Sequence, residues 1–186
     1  MKLMATVLLV FAATLGGTWL YLRLHADAFS ARAEPTRVEA ALARAARTAA
    51  TPAAITNKQN PITDTPEIFQ ESMAHYADHC AVCHGNDGSG DTMFGRGLYP
   101  RPTDLRRTTL TDGELFSVIE NGVRLSGMPA FGSPGDDGTD SWKLVRFLRH
   151  LPTLTPEQLQ RMSAMNPKSP EDLDEEKREA NFLNGR

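Results

Sequence analysis

Cys80-Ala81-Val82-Cys83-His84 decides the reading of this chain, and its flanks show what carries the motif. Upstream, Thr65-Pro66-Glu67 is a helix start: threonine caps, proline suits the first turn, and glutamate complements the positive end of the helix dipole. Phe69, Met73, Tyr76, Ala77 and Cys80 then recur every three or four residues, so one apolar face runs into the motif. Downstream, residues 85–97 form a glycine-rich connection. A second helix follows Thr111-Asp112-Gly113-Glu114, a capping-box pattern, with Leu115, Val118 and Ile119 on one side and Asn121-Gly122 at its end. A third, over residues 140–151, carries Leu144, Val145, Leu148 and Leu151, with Trp142 near its start and Pro152 closing it. Another glycine-rich connection spans 132–138, and no stretch alternates as a strand. These patterns predict an all-α fold.

The 186 residues have room for one ordinary domain plus attachments. Residues 66–152 form the compact part, with eight Lys+Arg against twelve Asp+Glu. Three short helices joined by Gly/Pro loops make a poor core for a unit this small, so something besides side chains should fill its middle. Two cysteines exclude a multi-bridge disulfide scaffold and any site of four thiolates. A whole-chain charge of −3 leaves no basic footprint, so nucleic acid is not an expected partner. With 40% hydrophobic and 23% charged residues, the chain is not a wholly disordered one.

Two thiols three positions apart can add to the two vinyl groups of one haem, and the adjoining His84 then lies under the iron as an axial base. The alternatives are poorer. A thioredoxin-like redox pair wants a preceding strand and a βαβ setting. A zinc site needs two more ligands; His75 and His79 are near, but His79 adjoins Cys80 and there is no second cysteine pair. A disulfide across two residues closes too small a loop to stabilise much. The reading is one haem c, covalent through Cys80 and Cys83.

The run from Cys80 to Gly90, the Tyr99-Pro100-Arg101-Pro102 loop and Ser126-Gly127-Met128-Pro129-Ala130-Phe131 together resemble the small monohaem class I cytochromes c of bacterial respiratory chains. The likeness covers residues 66–152. It implies three to four helices around one covalent haem, with a distal methionine at Met128. It also implies a proline loop on the His84 side, where a Pro100 or Pro102 carbonyl can bond the imidazole and fix its tautomer. The residues agree with the ligand. Met128 stands 44 positions after His84, Gly127 permits a close approach and Pro129 stiffens the loop. A thioether is a soft, neutral ligand that raises the potential. Met73 falls on a packing face, Met93 lies too near the motif, and Met162 and Met165 belong to the tail. His75, His79 and His150 read as surface or hydrogen-bonded side chains. Tyr99 and the prolines can wall the cofactor. Arg101 and Trp142 are candidate partners of a propionate, the alternatives being a solvated arginine and a core tryptophan.

The ends read differently. Residues 3–22 carry no charge and are long enough for a membrane-crossing helix, with Trp19 and Tyr21 at the headgroup level. Residues 1–22 are therefore read as a retained anchor. The alternative is a cleaved signal, with Lys2 as its basic start and Ala26-Asp27-Ala28 as its cleavage site. Arg23, Arg32 and Arg37 after the span oppose the positive-inside rule for an N-in anchor, whereas haem attachment outside the cytoplasm, implied by the family, favours that topology. Residues 23–65 form an Ala/Pro-rich tether with a helical stretch near 37–47. Residues 153–186 form a charged, partly helical tail, with starts at Thr155-Pro156-Glu157 and Ser169-Pro170-Glu171 and Gly185 at its end.

The resulting expectation is a one-electron carrier, not itself an enzyme, in a membrane-associated respiratory chain. Its haem domain lies on the periplasmic side of a bacterial inner membrane, or free in the periplasm if the span is cleaved. Its partners are a quinol-oxidising complex and a terminal oxidase or reductase, met by searching on the tether or as a fixed subunit of a complex. The alternative class is a haem-based gas sensor or peroxidase-like enzyme with a labile distal ligand, for which Arg124 is the nearest acid–base candidate.

Overall fold

The computed structural model describes residues 2–25 and 29–183. Ala26-Asp27-Ala28 and Gly185, read above as a cleavage site and a helix end, lie outside the described residues. Within them the fold is all-helical, as the patterns predict. The helices are α1 (Lys2–Leu24), α2 (Arg37–Ala50), α3 (Ala53–Thr56), α4 (Pro66–His79), α5 (Ala81–His84), α6 (Asp112–Asn121), α7 (Thr139–His150), α8 (Pro156–Met165) and α9 (Pro170–Leu183). Short 3-10 turns at Gly95–Gly97, Leu105–Arg107 and Leu151–Thr153 punctuate the loops.

The starts of α4, α6 and α8 follow local chemistry. Thr65 accepts from the Ile68 N–H and Thr155 from that of Gln158, while Thr111 and Glu114 complete a reciprocal capping box. Helix α7 begins differently, behind Gly138 in a left-handed conformation, with Asp137 accepting from the Thr139 N–H at 2.9 Å.

The core lies where α4 crosses α7. Met73, Tyr76 and Ala77 of α4 are buried among Leu144, Val145, Phe147 and Leu148 of α7, with Leu115 and Ile119 of α6 beside them. Tyr76 packs on Phe147 with ring centroids 5.0 Å apart.

The packed unit reaches beyond residues 66–152 on both sides. Asn60, in the stretch read as tether, donates to the Trp142 carbonyl at 2.9 Å, and Arg146 donates to the Ile62 carbonyl at 2.6 Å. The Thr111 hydroxyl donates to the Thr56 carbonyl at 2.7 Å, tying α3 to α6. On the other side Met162, read as a tail residue, is fully buried in the core through α8. Helix α9 is exposed along its described side chains.

Helix α1 is long and apolar enough to cross a membrane by length and composition, and none of its residues is buried.

Candidate haem site

The motif sits where one helix gives way to another. Helix α4 closes at Cys80, whose N–H bonds the Tyr76 carbonyl at 2.9 Å, and α5 then holds Ala81, Val82, Cys83 and His84 in a single turn. That turn places both thiols and the imidazole at the end of the apolar face of α4. The Tyr76 hydroxyl donates to the Gly85 carbonyl at 3.0 Å, pinning the exit of the turn to the core. The glycine-rich loop folds back on it: the Gly90 N–H reaches the His84 carbonyl at 2.7 Å, and the Thr92 hydroxyl donates to that of Val82 at 2.8 Å.

Cys80 and Cys83 are free thiols, not a disulfide. Burial, reinforced by Cys83, pushes the Cys80 thiol up to about 12, and burial also raises Cys83. Both are therefore protonated near neutrality and poor nucleophiles toward oxidants. Burial lowers the His84 imidazole from its ordinary 6.5, so it is neutral, the form a metal ligand requires.

The backbone of Thr103 opposes that lowering in part. Its approach falls short of a well-formed hydrogen bond, and the buried Nδ1 of His84 is left without a partner. The family resemblance implies this contact from a Pro100 or Pro102 carbonyl. No such bond is present among the described residues. The Pro102 carbonyl lies against Gly90 instead, where a Cβ would come within 2.5 Å of it.

Met128 is partly buried in the loop after α6. Its N–H is held by the Ser126 hydroxyl at 3.1 Å, and its carbonyl accepts from the Val123 N–H at 3.1 Å, so the loop is a closed turn. Leu125, at φ 61, is the non-glycine residue that takes the left-handed conformation in this turn. Gly127 is pressed by Leu98, whose side chain comes within 2.8 Å of where a Cβ would be. The Met128 loop and the Leu98-Tyr99-Pro100 loop thus meet as neighbours.

The remaining candidates divide. Tyr99, joined to Pro100 by a cis peptide bond, donates its hydroxyl to Glu39 of α2. Arg101 pairs with Glu34 at 3.1 Å. Trp142 belongs to the core: it is 2% exposed and stacks on Phe116 with centroids 4.1 Å apart. Glu34, Glu39 and Thr103 gave no signal in the sequence, since the two glutamates lie in a polar segment sixty or more positions from the residues they hold.

The donor set fits a haem of the c type: two unpaired thiols and a neutral, partly buried imidazole on one helical turn. Residues 69–148 match the family model described as cytochrome C oxidase, cbb3-type, subunit III. The match spans less than half of the chain and leaves α1, α2, α3, α8 and α9 outside it. No curated protein matches the chain. Over the matched residues 69–148 the chain carries a c-type cytochrome domain, a haem-based electron-transfer module.

Proposed function

We propose that this cytochrome domain is a one-electron carrier holding one haem c, covalent through Cys80 and Cys83, with His84 and Met128 as axial ligands. The observation that carries the reading is the α4–α5 junction, where both thiols and a partly buried, neutral His84 share one turn. The haem supplies a reversible one-electron change at its iron. Everything else is the chain's work. Cys80 and Cys83 anchor the group, and His84 offers its Nε2 from a turn pinned by Tyr76. Met128 offers a neutral thioether from a turn closed by Ser126 and Val123. If His84 and Met128 both hold the iron, no coordination site would remain for a substrate, which would separate a carrier from an enzyme.

Helix α1 acts in this reading as the anchor and puts the domain on the periplasmic side of a bacterial inner membrane. The matched family is described as an oxidase subunit, which favours a terminal oxidase as electron acceptor and a fixed subunit over a free searcher.

Visible spectra of the purified protein, oxidised, dithionite-reduced, and reduced under carbon monoxide, test the centre. A sharp low-spin c-type spectrum untouched by carbon monoxide is expected. Met128→Ala should open the iron to carbon monoxide and lower the potential, and a variant unchanged in both would defeat the ligand assignment. Pigment that survives denaturing electrophoresis in the wild type should vanish in Cys80→Ala/Cys83→Ala.

A further inference from the structure

Helix α2 has an acidic edge turned onto the domain and a cationic edge turned away from it. Glu39 holds Tyr99, and Glu34, just before the helix, pairs with Arg101. At 3.6 residues per turn Arg37 and Arg44 lie about 160° and 140° around the helix from Glu39, on the side remote from the domain. Both are exposed, and neither they nor Arg47 form an ion pair among the described residues. About a quarter turn around the helix from Arg37 and Arg44 runs an exposed apolar stripe of Val38, Leu42, Ala45 and Ala49, in which Val38 is 69% and Leu42 66% exposed, whereas Arg47 is half-buried on the side opposite the stripe.

A helix with an apolar stripe, Arg37 and Arg44 on its flank and, among the described residues, no protein partner for either matches an anionic lipid surface. The stripe enters the headgroup region, and the arginine stems lie along it with their charges on the phosphates. The neighbouring span favours lipid over an acidic protein or a second copy. Helix α2 begins twelve residues after α1 ends, a stretch that reaches at most about 40 Å.

We propose that α2 is an interfacial helix that docks on the anionic leaflet from which α1 emerges, and that Glu34 and Glu39 hang the Tyr99-Pro100-Arg101-Pro102 edge of the domain from it. The proposal rests on the reading of α1 as a retained anchor. It also gives Arg37, one of the arginines after the span, a purpose that the positive-inside rule does not.

The test uses the full, haem-loaded chain carrying Leu42→Cys with a nitroxide label, reconstituted in phosphatidylcholine nanodiscs with and without phosphatidylglycerol. Intact mass reports whether α1 is present. In the anionic discs the label should become immobilised, open to oxygen and shielded from a water-soluble nickel chelate. Arg37 and Arg44 near the surface predict a docked population roughly thirtyfold above that in neutral discs. Arg37→Gln/Arg44→Gln should abolish the difference, and the corresponding double lysine variant should keep it. A water-exposed label on a disc-bound chain overturns this proposal and leaves the anchor standing. Shielding that is equal in both lipids and survives the glutamine variant overturns it in favour of a protein contact. A mature chain lacking α1 overturns the anchor and the proposal together.

Discussion

His75 lies on α4 little more than a turn before Cys80, with its ring packed edge-on against His79 at 4.9 Å between centroids. Burial, and then the charge of His79, lowers its affinity for a proton below the ordinary value of 6.5, against weaker opposition from Asp140, Asp78 and Glu71. The unfolded chain therefore binds that proton more readily than the folded one. The contribution to stability is complete above pH 6.5 and falls as the pH drops through 6.5 toward the lower folded value. His75→Gln should flatten this part of the acid limb, as read from urea midpoints on both sides of pH 6.5. A slope unchanged by the substitution would assign the limb to other groups. At this scale the sequence was most informative for the residues of the motif, because the spacing of Cys80, Cys83 and His84 is itself the chemistry. It was silent on Thr103, Glu34 and Glu39, whose positions opposite His84, Arg101 and Tyr99 are made only by tertiary folding.

Between elements the closest approach is that of α3 to α6. A Cβ on Gly113 would sit 1.8 Å from the Ile55 carbonyl oxygen, a backbone atom that cannot turn aside. Propensity alone says that alanine is better than glycine in a helix by about 1 kcal/mol. The clash reverses that sign, so Gly113→Ala should cost about 2 kcal/mol in denaturant unfolding. It should also break the bond from Thr111 to the Thr56 carbonyl, so that amide exchange in α3 accelerates. A stabilised variant would mean that α3 does not lie on α6 in solution. Helix starts at Thr65, Thr111 and Thr155 were legible because a cap is a local device of four residues. The seat of α3 was not. It depends on backbone meeting backbone across nearly sixty positions, and a glycine in the first turn of a helix does not announce what it makes room for. The same holds for the break at Cys80, where the apolar period of α4 continues but the chain stops and restarts as α5.

The unit that folds is larger than the segment that carries the cytochrome motifs. Helix α8 looks like tail in the sequence because its only large apolar residues are Leu159, Met162 and Met165. Yet Met162 is fully buried against the core, and the Ser163 hydroxyl accepts from Asn86, in the loop that follows His84. One well-placed side chain outweighs a polar composition, since a fully enclosed thioether makes dozens of contacts that no average over the segment reveals. Met162→Ala should therefore cost about 3 kcal/mol, the usual range for emptying such a site, while the partly exposed Met165→Ala should cost well under half as much. Equilibrium unfolding followed by both far-ultraviolet ellipticity and the haem band distinguishes two cases. If the two probes shift together, α8 is part of the cooperative unit and α4 is clamped between α7 and α8, so the turn bearing Cys80 and His84 gains its rigidity from beyond the family match. If only the ellipticity shifts, α8 melts by itself, and that turn is held by α7 and the bond from Tyr76 to Gly85 alone.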